Sequence, residues 1–442
     1  MRTRPRRRSP CRTRPGTGGD LMAYRFSPQD VRFLESPAGV EALAEAGALA
    51  LDDRSLIADL TRIRRTAGSF AGAVAETVRL RRRAVQRWCG GDGAPGRAAS
   101  RGQRACGDGD PPEFARWLFT DEALQQAAPP AVAAHRARRI AGWSASWGAG
   151  VHDVTCSIGA DLAALAAAVP VAVGSDVDPV RLAMARHNLA AAGRPARLAL
   201  ADARTVTSRG LLRYADPARR DVTGRRILSA DTIPSVADLD AADPAHPPVL
   251  RLPPGIDYDA LARPGEIEIV SLDGAVREAV AWPPALATVA RRASVLAGDS
   301  VREQLTSDDP DDVPVTAAGD VLVDPDPAVV RAHLVRHYAA RHRLSLLDPH
   351  LAYLTGSHPP PGIRSFRVLD AAPFAERTIR DWARRDGVGT LEIKQRGTPV
   401  IPDDLRRRLR LSGDTRLART VVIARIGAAA QAFWCQAVPP AE

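Results

Sequence analysis

Lysine is nearly absent: of 61 Lys and Arg residues in 442, only Lys394 is not arginine. A bias so complete reads as codon usage before function, so arginine content alone does not argue for a polyanion partner. Cysteine is scarce, at five scattered residues (Cys11, Cys89, Cys106, Cys156, Cys435) with no C-x-x-C pair. That excludes a zinc ribbon and fits a reduced, cytoplasmic setting. No apolar run is long enough to cross a bilayer; the longest, Leu162–Gly174, is interrupted by Pro170, so no membrane partner is expected. The chain also lacks G-x-S-x-G and H-E-x-x-H, which leaves hydrolase and zinc-protease chemistry without support. With 45 % hydrophobic and 25 % charged residues, it is an ordinary globular sequence.

The net charge of +10 is unevenly spread: residues 1–21 hold seven Arg against one Asp. This tail has no signal-type apolar stretch. Residues 1–22 are expected to be either a disordered basic arm or, preferred here, sequence upstream of a start at Met22. Residues 23–145 read as helical, with Ser36-Pro37 and Thr120 as helix starts. A Gly/Arg/Asp-rich insertion interrupts them at 89–112. From Val151 strands and helices alternate, the mark of a parallel α/β sheet, assigned to residues 146–300. An acid-rich stretch at 301–319 is expected to be a linker. Residues 320–438 read as an α+β domain opened by a helix at Asp326-Pro327 with Val330, Leu334 and Tyr338 on one face.

Chemistry concentrates between Val151 and Asp221. The run VHDVTCSIGADLAAL predicts strand, tight turn at Gly159 and helix; VAVGSDVDPVRLAMARHNL predicts a second strand ending in acids and another helix. Such a unit binds a nucleoside: backbone amides of the first turn approach the ligand, and an acid after the second strand takes two ribose hydroxyls. Asp176 is the expected ribose acid, with Asp178 capping the following helix. A dinucleotide would need further glycines against its pyrophosphate. Here Ser157 stands where a first Gly would be, and Asp153 and Asp161 flank the turn. Those acids disfavour a phosphate and suit a cationic ligand such as S-adenosylmethionine, with its sulfonium and ammonium groups.

These residues resemble class I S-adenosylmethionine-dependent methyltransferases, in particular the branch with D-x-x-C-G-x-G-x-D in the first turn. The DVDPVRLAMARHN helix is similar to that of trimethylguanosine synthase-type enzymes. The strings LDPHLAYLTG (347–356) and GVGTLEIKQRG (387–397) resemble bacterial methyltransferases ending in a THUMP-like domain. The resemblance implies a Rossmann-like methyltransferase sheet behind a helical front, followed by an accessory domain related to RNA-binding THUMP modules. It implies S-adenosylmethionine as cofactor, with Asp153, Cys156, Gly159 and Asp161 around its methionine end, Asp176 at the ribose and Asp202 near the adenine. Thr120 matches an upstream F-T contact. Ser157 departs from the pattern; a Ser holds that turn if its φ is negative, and it narrows the approach of the backbone.

YADPARR (214–220) occupies the place where amine methyltransferases carry D/N-P-P-aromatic. There the side-chain oxygen accepts amine hydrogens and aims the nitrogen at the methyl group. Asp216 and Pro217 are retained, whereas Ala218 and Arg219 replace the second Pro and the aromatic. Asp216 is therefore expected to orient the acceptor or act as a weak base, Pro217 to shape the turn, and Arg219 and Arg220 to contact phosphate or carboxylate.

Other clusters are read as ordinary protein surface or core. Five of nine His lie between His333 and His358, with His333 and His337 spaced i,i+4, but no metal is expected. The Arg79–Arg87 cluster reads as a solvated helix end before an RNA contact. The expected activity is methyl transfer to a structured RNA. The rivals are a catalytically inactive RNA-binding or scaffold protein and a small-molecule methyltransferase; oligomeric state is not legible.

Overall fold

Serine caps start the first helices. Ser27 forms a capping box with Asp30 at α1 (Pro28–Glu35), and Ser36 caps α2 (Pro37–Gly47). The computed structural model describes residues 24–89, 111–147, 150–218, 232–258 and 261–439. The basic tail, nearly all of the 89–112 insertion, and Arg219 and Arg220 lie outside these residues. The chain forms two compact units, Met1–Leu80 with Phe119–Gln125, and Arg81–Leu118 with Gln126–Glu442. In the first, α1, α2 and α3 (Leu56–Ala67) bury Val31, Leu34, Ala42 and Ile63. Phe33 stacks on Phe70 with centroids 4.3 Å apart, just before α4 (Ala71–Cys89). Thr120 caps α5 (Asp121–Gln126) through its hydroxyl, which accepts from Ala123 N.

The second unit begins with the end of α4. Arg81, expected on a solvated face, is instead largely buried and donates to the carbonyls of Trp117 and Arg116 at 2.9 and 2.6 Å. Burial lowers its pKa to about 10.

After α6 (Pro130–Trp147), β1 (Gly150–Asp153), α7 (Ala160–Ala168), β2 (Val171–Asp176), α8 (Pro179–Ala191), β3 (Arg197–Leu200) and β4 (Leu212–Ala215) build the parallel half of a sheet. It continues through α9 (Val236–Ala242), β5 (Val249–Leu252), β6 (Glu266–Leu272), β7 (Ala275–Trp282), β8 (Arg291–Ala297) and β9 (Ser300–Thr306). The strand order is β3-β2-β1-β4-β5-β7-β6-β8-β9, with β7 antiparallel to β5 and β6. The strand order reverses beside β1, so the turns after β1 and β2 open onto one crevice.

The sheet has nine strands, with β8 and β9 extending it beyond β6. Consequently residues 300–306, the front of the segment read as an acidic linker, are strand. Its acids serve local structure: Glu303 pairs with His342 at 2.7 Å, and Asp309 accepts from Thr306 N at 2.6 Å. Asp308, Asp311 and Asp312 are exposed, as an acid-rich loop would have them.

The remaining elements are β10 (Val321–Val323), α10 (Pro327–Arg331), α11 (Val335–Arg341), β11 (Ser345–Leu346), β12 (Leu354–Gly356), β13 (Ser365–Pro373), α12 (Glu376–Arg385), β14 (Val388–Arg396), α13 (Pro402–Leu409), β15 (Asp414–Ile426) and β16 (Ala429–Val438). Their sheet runs β11-β12-β10-β13-β16-β15-β14. The expected single helix after Asp326 is two, broken where His333 takes φ +58°. His333 and His337 thus do not share one helix face, and His337 instead bonds Ser307 O. Val329, Leu334 and Tyr338 share a core with Ile269, Ala279 and Val295 of the nine-stranded sheet. Among the described residues no helix is long and apolar enough to cross a membrane, and no cluster of His, Cys, Asp or Glu could hold a metal ion.

Candidate active site

The turn after β1 is held from three sides by backbone bonds. Val154 N donates to Tyr214 O, Cys156 N to Ser175 O, and Gly159 N to Cys156 O, all at 2.8–2.9 Å. Gly159 takes φ +80° as α7 begins, and a Cβ there would stand 3.2 Å from Ala185 of α8. Glycine therefore serves both the left-handed turn and the close helix approach. Ser157 also takes a positive φ, +49°, so the condition under which a serine was expected to hold this turn is not met. The turn needs a left-handed residue, and serine occupies it with strain.

Asp176 ends β2 beside this turn. Its Oδ2 accepts from Ser157 N and its Oδ1 from Asp178 N, each at 2.9 Å. Burial still holds its pKa above the ordinary carboxylate value. The second lone pair of each oxygen suits a pair of ribose hydroxyls. Asp178 caps α8 by accepting from Val180 N and Arg181 N.

Asp153 ends β1, 1 % exposed, and accepts from Thr155 N. Burial, followed by the neighbouring Asp161 charge, raises its pKa well above normal. A cation beside it would relieve that penalty, so the acid fits the charged end of a sulfonium cofactor. Cys156 is buried, its thiol directed at Gly174 of β2, where a Cβ would meet Sγ at 3.0 Å. Asp202, after β3, is gripped by its neighbour Arg204, which lowers its pKa. Asp153 and Asp176 lie beside the turn after β1, where the acids the cofactor's cation and ribose would need are expected. Thr120 belongs to the other compact unit and is described above as a helix cap.

Asp161 sits in a buried ion network. Arg136 of α6 lies 2.6 Å from its Oδ1, and the Tyr214 hydroxyl donates to its Oδ2 at 2.7 Å. Burial alone would raise the Asp161 pKa, but Arg136 and Arg251 hold it below normal. Arg136 also binds Glu278, at 2.6 and 2.5 Å. Arg251 of β5 donates to Glu278 at 3.1 Å, to Gln126 O at 2.9 Å and, through Nη1, to Asp216. Asp216 is thereby tied to the same network, its own amide donating to Thr155 Oγ1 at 2.7 Å. Pro217 is buried and Ala218 bridges Ile233, which fixes the turn.

Of the residues expected at the site, the fold brings Asp153, Gly159, Asp161, Asp176 and Asp216 together around the ends of β1, β2 and β4. Sequence reading misses Arg136, Arg251, Glu278 and Asn188. The signal for Arg251 and Glu278 was present: charges of opposite sign inside largely apolar strand runs, which burial obliges to pair. Asn188 had no comparable signal. Wholly buried, its Nδ2 donates to Leu118 O and Ile158 O at 2.9 Å, and its Oδ1 accepts from Leu118 N at 2.7 Å.

Residues 363–437 match the model of the THUMP domain-like family, and residues 27–84 match a domain of unknown function (DUF8688). An uncharacterized S-adenosylmethionine-dependent methyltransferase of Mycobacterium tuberculosis, found in two strains, is 51% identical over 318 residues, covering 71% of this chain and 86% of the relative. In fold, the chain is similar to a crystal structure of a Porphyromonas gingivalis W83 protein assigned as a methyltransferase. The TM-score is 0.66 at 18% identity, over 94% of this chain and 100% of the other.

Proposed function

We propose that this chain, which belongs to the S-adenosylmethionine-dependent methyltransferases, transfers its methyl group to an RNA engaged by the C-terminal domain. The observation that carries this reading is the THUMP-like match at 363–437, joined in one chain to a methyltransferase sheet. Charge supports it. That segment holds fifteen Arg and Lys against eight Asp and Glu, net +7; with the first 21 residues at +6, the rest of the chain is net −3. A basic module in one chain with a region of slight net negative charge suits a polyanion engaged by that module. A small-molecule acceptor would have no use for that segregation.

S-adenosylmethionine, when bound, supplies a methyl group on a sulfonium with a neutral thioether as leaving group. The chain then has to align and desolvate rather than activate. In this reading Asp176 takes the ribose hydroxyls, Asp202 lies near the adenine, and Asp153 balances the cationic end. The Asp216–Pro217 turn, its aspartate half-buried, presents a carboxylate toward the acceptor. Arg219 and Arg220 would contact its phosphate.

The test is transfer of labelled methyl groups into total RNA and, separately, into the small-molecule fraction of a cell extract. Label in RNA that ribonuclease releases is expected. Label confined to the small-molecule fraction overturns the RNA reading.

A further inference from the structure

Among the described residues three arginines are buried, each at most 4 % exposed: Arg136, Arg251 and Arg213. Arg136 and Arg251 are both clasped by carboxylates. Arg213, in β4, is not. Its Nη1 and Nη2 donate to Leu239 O and Ala203 O at 3.2 and 3.1 Å, which engages two of the five N–H bonds of a guanidinium. The nearby acids are taken: Asp240 holds Arg263 at 3.0 Å, and Asp243 holds His246 at 3.3 Å. Burial lowers the Arg213 pKa even with those two carboxylates close by. Its charge also adds to burial in lowering the pKa of His152. A buried cation without an ion-pair partner is costly, and an anion from solution would offset that cost.

Arg213 lines a cavity of about 200 Å³. The floor, Leu212, Arg213 and Pro283, is buried, and the rim at Ala245, His246 and Ala285 is exposed. The cavity opens where β4 and β5 begin and β7 ends, at the opposite end of the strands from the turns after β1 and β2. Arg213 precedes Asp216 by three residues of extended chain, about 10 Å. The cavity is therefore separate from the crevice read as the place of cofactor and acceptor. We infer that it binds a small organic monocarboxylate, with the carboxylate on the unused N–H bonds of Arg213 and the apolar body between Leu212 and the prolines. A carboxylate matches the guanidinium fork. One negative charge balances one cation, and Asp240 and Asp243 stand against a second. An apolar cavity of about 150 Å³ holds benzene, so this one has room for a single ring.

Calorimetric titration of the full-length protein tests this with four probes: benzoate, benzamide, acetate and inorganic phosphate. Benzoate is expected to saturate with a Kd of about 1 mM or below, within reach of so small a ligand. Benzamide keeps the ring and loses the charge; acetate keeps the charge and loses the ring. Each is expected to bind at least about 10-fold more weakly, and phosphate more weakly still. Arg213→Met is expected to weaken benzoate by about 10-fold or more. Because that variant can fail to fold, Ala285→Trp is made as well. Its position on the rim is exposed, and an indole there is expected to fill the cavity and abolish binding with Arg213 in place. Benzoate that does not saturate by about 10 mM overturns the inference. So does any other probe that binds as tightly as benzoate, or unchanged benzoate affinity in either folded variant. None of these outcomes involves a methyl acceptor, so failure here and failure of the RNA reading are distinguishable.

Discussion

The amide of Ser157 donates to the Asp176 carboxylate across 2.9 Å, while Ser157 itself holds φ +49°. A left-handed serine is thus the link between the turn after β1 and the acid after β2. Such a conformation costs a side-chain-bearing residue about 1–2 kcal/mol, of which glycine would return part, its looser unfolded chain offsetting the rest. Ser157→Gly is expected to keep the bond to Asp176, to stabilise the fold by up to about 1 kcal/mol and to bind S-adenosylmethionine at least as tightly. Denaturant unfolding and calorimetric titration read both; weaker binding would mean that the serine side chain serves the ligand.

Asp176→Ala removes the acceptor of Ser157 N in the turn and of Asp178 N before α8, as well as the proposed ribose contact. Cofactor affinity is expected to fall at least about 100-fold, two hydrogen bonds to a charged group each contributing about 1.5–3 kcal/mol. Calorimetry on a variant with an unchanged circular dichroism spectrum decides this, and retained micromolar binding would remove Asp176 from the site.

Asp153 holds its proton above the ordinary carboxylate range because it is buried beside Asp161. A cationic ligand favours the ionised form, so binding should release a proton. Affinity for S-adenosylmethionine is therefore expected to rise with pH through the raised value and level off above it. Asp153→Asn should flatten that profile; an unchanged slope in the variant would place the titrating group elsewhere.

His152 of β1 lies between Ser175 Oγ at 3.0 Å and Ser208 Oγ at 2.7 Å, and burial with the nearby Arg213 charge lowers its pKa to about 4. The unfolded chain then binds the extra proton first. Stability is full above the unfolded value and is lost as pH falls from about 6.5 to about 4, by about 3 kcal/mol. Unfolding of His152→Gln across that range should show a shallower loss, and parallel curves would refute the assignment.

Asn188→Ala leaves three buried backbone groups at Leu118 and Ile158 without their partner. A destabilisation of about 2–4 kcal/mol is expected in chemical unfolding, because no small side chain can replace an acceptor and two donors at once. A change below about 0.5 kcal/mol, the scale of an ordinary surface substitution, would show that other groups take over these bonds.

The parts legible in the sequence were those set by neighbours along the chain. Ser36, Thr120 and Asp178 were read as helix caps, because a cap depends on the next two or three residues. Arg81 was misread, and residues 301–306 were not recognised as strand, because exposure and pairing are decided by what packs from far away. Glu278 and Glu268, ion partners of α6, come from strands well over a hundred residues downstream.

By itself the sequence determined the alternating α/β pattern, the turn at Gly159, the acids at Asp153 and Asp176, and the chemistry those acids admit, since each follows from local spacing and residue type. Only the tertiary structure decided that Ser157 is left-handed, that β8 and β9 lengthen the sheet, and that Asp216 answers to Arg251. Those outcomes depend on strands brought together by burial, where a charge must find its partner in space and not along the chain.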